Sequence, residues 1–145
     1  MSKLRLIFLI ILLPIVFFRC ETNNPVPQVY VNFILELNSP LYSTLNSVGG
    51  SIIVPEEGYR DHGVIITRVD FDRFAAYDAT CTFDPEDAWG RVELDETGIS
   101  ATDKVCGSQY SLMLDGMVLQ QPASVPLKIY NVEYNQNQNT ITVHN

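Results

Sequence analysis

Short apolar runs, some alternating and some continuous, follow one another along most of the chain, and each is closed by Gly, Pro, Asn or Asp. Val29–Leu37 is rich in β-branched and aromatic residues and stops at Asn38-Ser39-Pro40, which predicts a strand ending in a turn. Ser51–Val54, Val64–Val69 and Phe74–Tyr77 predict further strands, set off by a bend at Gly49-Gly50 and turns at Pro55–Gly58 and Asp70–Arg73. More strands are expected near Arg91–Leu94, Tyr110–Leu114, Met117–Leu119, Lys128–Glu133 and Thr140–His144. Asp115-Gly116 is the clearest hairpin signal, because glycine accepts the positive φ of a tight primed turn. Asn135–Asn139 predicts a polar turn, and Leu41–Leu45 a short helical turn or loop. Tyr110, Leu112 and Leu114 alternate and are expected in the core. No long segment has helical periodicity and none repeats, so the chain reads as all-β, an antiparallel sandwich or barrel.

The N-terminus has a different character. Lys3 and Arg5 precede the apolar run Leu6–Phe18, which is shorter than the roughly 18 residues needed to span a hydrocarbon core. A basic segment followed by a short apolar one is the pattern of an export signal. Phe17-Phe18-Arg19-Cys20 resembles a bacterial lipobox, although Arg19 stands where a small residue is usual. The expected organisation is a lipoprotein signal peptide at 1–19, lipidation at Cys20, a Pro-punctuated tether over 20–27 and a β domain over 28–145. That places the domain in the cell envelope, facing the periplasm or the exterior and held to a membrane by its lipid.

Charge narrows the partners. Lys3, Arg5 and Arg19 are three of nine basic residues, so the rest carries six bases against 17 acids, a net charge of about −11. A nucleic-acid partner is excluded on that balance, since phosphate binding needs clustered Lys and Arg. Asp84, Glu86, Asp87, Asp95 and Glu96 read as solvated loop charge, because no calcium-loop spacing is present. Neither a phosphate loop nor a paired-histidine metal motif occurs, and His62 and His144 read as ordinary surface or strand residues. Trp89 reads as a lid over the base of its loop. No enzyme constellation stands out.

With Cys20 assigned to lipid, Cys81 and Cys106 remain, an even pair that an oxidising compartment would first suggest as a disulfide. Closing a loop of about 25 residues is worth roughly 3.5 kcal/mol in the chain-entropy account. Pairing to another chain stays open at this point.

Residues 74–134 carry a multi-point resemblance. Phe74-Ala75-Ala76-Tyr77-Asp78-Ala79-Thr80-Cys81 is followed by Cys106-Gly107-Ser108-Gln109-Tyr110, then by Asp115-Gly116, Pro122-Ala123, Pro126-Leu127 and Tyr130-Asn131-Val132. In that order they resemble the Rieske-type domains, whose boxes run F-x-A-x-D-x-x-C-x-H and C-x-x-H-G-S-x-F, then D-G, G-P-A, P-L and Y-x-V. The resemblance covers about residues 48–145. It implies an antiparallel β domain of about three small stacked sheets, with two loops facing each other at one tip beside a Pro-containing loop.

A Rieske cluster holds one iron by two cysteines and the other by two histidines. The corresponding positions here are Cys81, Phe83, Asp103 and Cys106, so one ligand type of four is kept in place. The resemblance therefore implies a domain without its cluster, its tip held by a Cys81–Cys106 disulfide, with Ser108 supporting the loop turn. Asp78, Asp84, Glu86, Asp87 and Asp103 are expected to crowd that tip and raise the thiol pKa, against a redox-active pair. The expected role is structural or interaction-based, with an envelope protein as partner and no cofactor. The rival is an electron-transfer protein with a non-standard iron–sulfur site on Cys81, Cys106 and Asp103.

Overall fold

A computed structural model describes residues 23–145. The expected signal peptide at 1–19 and the expected lipidation site Cys20 lie outside the described residues.

Val64-Ile65-Ile66 is a continuous apolar run, and the reason is that both faces of its strand are buried. Val64 and Ile66 point into one core with Val31, Leu35, Phe74, Ile141 and Val143. Ile65 points the other way, into a second core with Tyr77, Ala79, Cys81, Val92, Tyr110 and Leu112. Strands β3 (Val64–Arg68) and β4 (Phe74–Asp78) thus form the shared wall between two hydrophobic cores.

Around that wall the chain builds two antiparallel sheets. The larger has the order β1-β10-β9-β4-β3-β2, adding β1 (Asn32–Glu36), β2 (Ser51–Val54), β9 (Ile129–Asn135) and β10 (Thr140–His144). The smaller runs β5-β6-β7-β8, from β5 (Val92–Leu94), β6 (Ser100–Asp103), β7 (Gln109–Ser111) and β8 (Val118–Gln120). Two sheets replace the three expected, because β4 and β9 pair at Ala76↔Tyr130 and Tyr77↔Ile129 and so fuse two of them.

Most expected elements are present. Pro40–Asn46 is a 3-10 segment, capped by the Ser39 side chain and interrupted at Tyr42. Asp115 and Gly116 both take positive φ, 50° and 70°, as the primed turn requires. Leu114 is a correction: it is 58% exposed, because strand alternation ends at Ser111 and Leu114 already belongs to the turn. Among the described residues no helix is long and apolar enough to cross a membrane.

Asn24–Pro27, the end of the expected tether, are docked on the domain. Val26 is buried, Asn24 Nδ2 donates to the Pro126 carbonyl at 3.0 Å, and buried Lys128 donates to the Val26 and Pro27 carbonyls.

At the Gly49-Gly50 bend, Arg68 donates its N–H to the Gly50 carbonyl at 2.9 Å. A Cβ on Gly50 would overlap the Thr44 carbonyl. Gly50→Ala is expected to destabilise the domain by about 1–3 kcal/mol, the usual cost of overpacking, read from urea unfolding midpoints at constant slope.

Candidate functional site: a closed tip on three loops

Three loops meet at the end of the smaller sheet. The first leaves β4 through Thr80 and Cys81, and is tied back by Cys81 N–H to the Gly90 carbonyl at 2.8 Å. Asp84 and Asp87 organise it as Asx turns, accepting from Glu86 N–H at 3.3 Å and Trp89 N–H at 2.9 Å. The second loop follows β6. Its Asp103 Oδ1 accepts from Val105 N–H at 2.7 Å, and Gly107 turns the chain at φ 81° with its N–H on the Asp103 carbonyl. The third is the Pro-containing segment Gln121–Pro126, entered through a cis Gln121–Pro122 bond.

Side chains lace the three together. Thr82 Oγ1 donates to the Val125 carbonyl at 2.6 Å, joining the first loop to the third. Ser108 Oγ accepts from Ala123 N–H at 2.9 Å, joining the second to the third. Ser108 thus supports more than its own turn, and its hydroxyl donates to the Cys106 sulfur, 3.0 Å away.

At the centre, Cys81 Sγ lies 3.6 Å from Cys106 Sγ, and the two are free thiols in this structure. Asp103 Oδ2 accepts from the Cys106 thiol at 3.3 Å. Tyr110 places its hydroxyl 3.4 Å from Cys81 Sγ and 3.0 Å from Thr82 Oγ1, while accepting from Thr82 N–H at 3.2 Å. Thr82 has committed its one hydroxyl proton to Val125, so the Tyr110 proton is available to Thr82 or to the Cys81 sulfur. Cys81, Asp103, Ser108 and Tyr110 are all buried.

Burial, above all, pushes the Cys81 thiol up to about 12; hydrogen bonding with Asp103 and Cys106 adds to this, and the Tyr110 hydroxyl and the Phe83 backbone oppose it. The expected direction holds, but desolvation is the first cause rather than the surrounding acids. Of those acids, Asp84 and Glu86 are exposed and Asp87 is half-buried, and Glu86 pairs with Arg60 at 3.3 Å. Asp78 sits away from the sulfurs, where its carboxylate accepts from Tyr59 N–H, Thr80 N–H and the Tyr130 hydroxyl at 2.7, 2.9 and 2.6 Å. In the fully reduced protein at pH 8, iodoacetamide is expected to alkylate half-buried Cys106 well before Cys81, a ratio that peptide mass mapping reads directly.

Of the four cluster-ligand positions, three converge and one departs. The donor atoms of Cys81, Asp103 and Cys106 lie within 4.8 Å of one another. Phe83 is 54% exposed and offers no donor. Three donors gathered this closely match the ligand shell of one ion, and no fourth donor stands opposite them at position 83. A two-iron cluster needs two separated ligand pairs. The donor set therefore does not fit a Rieske cluster.

Trp89, expected as a lid, is instead 78% exposed, its N–H bound by the Asp87 carboxylate in an Asx turn. Tyr110, expected as core, is buried and also carries a hydroxyl 3.4 Å from the Cys81 sulfur. It stands where the Rieske box carries Phe, and that single difference brings a hydroxyl to the buried sulfur. His62 touches the site's edge through Thr80 Oγ1 at 3.1 Å.

No protein-family model and no curated protein matches the sequence. In three dimensions the chain is similar to one chain of the complex of reduced oxygenase and oxidized ferredoxin in carbazole 1,9a-dioxygenase. That match is 21% identical, covers 81% of this chain and 94% of the other, and has a TM-score of 0.50. The chain also aligns with one assigned as the small subunit of an NADH-dependent nitrite reductase from Mycobacterium tuberculosis. There the identity is 17%, the coverage 81% and 97%, and the TM-score 0.45. The fold is Rieske-like, an all-β domain of antiparallel sheets. Within that class it carries a close cysteine pair at the tip.

Proposed function

We propose that this chain is a non-catalytic, membrane-anchored Rieske-like lipoprotein of the cell envelope, with a Cys81–Cys106 disulfide in place of an iron–sulfur cluster. The observation that carries the reading is the 3.6 Å approach of two thiols from opposing loops, at a tip whose interior is otherwise filled by Asp103, Ser108 and Tyr110. Bond formation closes the sulfur separation from 3.6 Å to about 2.05 Å. Formation removes one proton and one electron from each thiol and passes them to a disulfide-bearing partner, which leaves as a dithiol. Export, read from Lys3, Arg5 and Leu6–Phe18, supplies a compartment where the bond persists.

The role is structural or interaction-based. Phe83, Trp89 and Val105 expose apolar surface on the first and second loops, which supports contact with another envelope protein.

Mature protein purified anaerobically is expected to be colourless, free of iron and free of titratable thiols. Stoichiometric iron with visible charge-transfer absorption would replace this reading with an electron-transfer protein holding a non-standard site. The bond is also expected to survive millimolar glutathione, since a labile bond is the mark of thiol–disulfide exchange.

A further inference from the structure

The same three donors that fail to fit a two-iron cluster fit one ion. We propose that the reduced chain binds a single Zn²⁺ through Cys81 Sγ, Cys106 Sγ and Asp103 Oδ2. This goes beyond the disulfide reading and concerns the dithiol form of the same tip.

Tetrahedral coordination with Zn–S bonds of about 2.3 Å sets two thiolate sulfurs about 3.8 Å apart. The observed separation is 3.6 Å. The Asp103 carboxylate is already aimed: Oδ1 is occupied by the Val105 and Cys106 N–H groups at 2.7 and 3.4 Å, leaving Oδ2 facing the sulfurs. A backbone donor also serves the Cys106 sulfur, Ser108 N–H at 3.4 Å. Such outer contacts orient ligands and spread thiolate charge. Three protein ligands leave a fourth position for water, on the side where Cys106 is half exposed.

Two thiolates with one carboxylate suit zinc over harder cations such as Mg²⁺ or Ca²⁺, which take oxygen ligands. On binding, each thiol gives its proton to solvent and its sulfur lone pair to the ion; no electron is transferred. Oxidation to the disulfide removes both thiolates, so the metal-bound and disulfide forms exclude each other.

The test uses the full chain, reduced and handled anaerobically, titrated with Co²⁺ as a spectroscopic probe and then with Zn²⁺. One Co²⁺ per chain is expected, with tetrahedral d–d bands and sulfur-to-cobalt charge transfer, both abolished by stoichiometric Zn²⁺. Cys106→Ser is expected to abolish the charge-transfer signature. Asp103→Asn keeps the Oδ1 acceptor for Val105, and is expected to weaken Zn²⁺ binding at least tenfold while the reduced domain keeps its melting temperature. Absence of a tetrahedral cobalt spectrum, or affinity unchanged in both variants, overturns the proposal even if the disulfide forms in air. Zinc binding by a chain whose cysteines never pair would sustain it and overturn the disulfide reading instead.

Discussion

Cys81→Ser is expected to lower the unfolding free energy of the air-oxidised domain by about 3.5 kcal/mol, because it frees a loop of about 25 residues in the unfolded state. For a domain of this size that corresponds to a fall in melting temperature of roughly 10–15 °C. The loss is attributable to the bond rather than to packing, since serine differs from cysteine by one atom and Tyr110 and Thr82 remain to hold the first loop. Two controls sharpen the attribution. Wild-type protein in reductant is expected to melt with the variant, and adding Cys106→Ser to Cys81→Ser is expected to cost little more, because both changes remove the same interaction. A wild-type melting temperature that ignores reductant would show that no bond contributes.

Asp78→Ala is expected to be of comparable or greater cost, about 3–5 kcal/mol, by a different mechanism. The carboxylate collects the Tyr59 and Thr80 backbone N–H groups and the Tyr130 hydroxyl, in a position shut off from solvent. Alanine would leave buried donors unpaired, and each orphaned group costs about 1–3 kcal/mol. Lys128 would also lose the carboxylate whose field offsets part of its desolvation, which already depresses its pKa. Since Lys128 holds the Val26 and Pro27 carbonyls, the N-terminal segment is expected to loosen with it. Denaturant unfolding measures the first effect, and hydrogen exchange over residues 24–31 the second. In the Asp78→Ala background, Tyr130→Phe is expected to cost less than in the wild type, because one orphaned hydroxyl has been removed.

Period-2 alternation and turn chemistry located nearly every strand, because a half-buried strand writes its orientation into its sequence. Strand β6 escaped that reading: Ser100-Ala101-Thr102-Asp103 is small and polar, with no apolar alternation. It sits between β5 and β7, where small side chains fit against Tyr110 and Val92, so packing rather than propensity makes it a strand. Trp89 and Leu114 went astray because aromatic or aliphatic character says nothing about direction once a residue leaves a regular element.

At the tip, motif order was enough to align Cys81 with Cys106 across two loops, and residue type was enough to exclude Phe83 as a ligand. What stayed hidden was the third dimension of the polar groups. Asp78 and Asp103 look alike as loop-edge acids. One anchors a backbone network beneath the tip and the other faces the sulfurs, a difference fixed only by strand pairing and by the Gly107 turn.

In the mature protein Cys81 and Cys106 are expected to be bonded to each other. The direct measurement is the intact mass of the unreduced chain after denaturation in alkylating agent, followed by peptide mapping. No alkylation at Cys81 or Cys106 is expected, with a mass two hydrogen atoms below the dithiol and one cross-linked peptide pair containing both residues. Quantitative alkylation of both cysteines in protein isolated from the envelope under non-reducing conditions would contradict it.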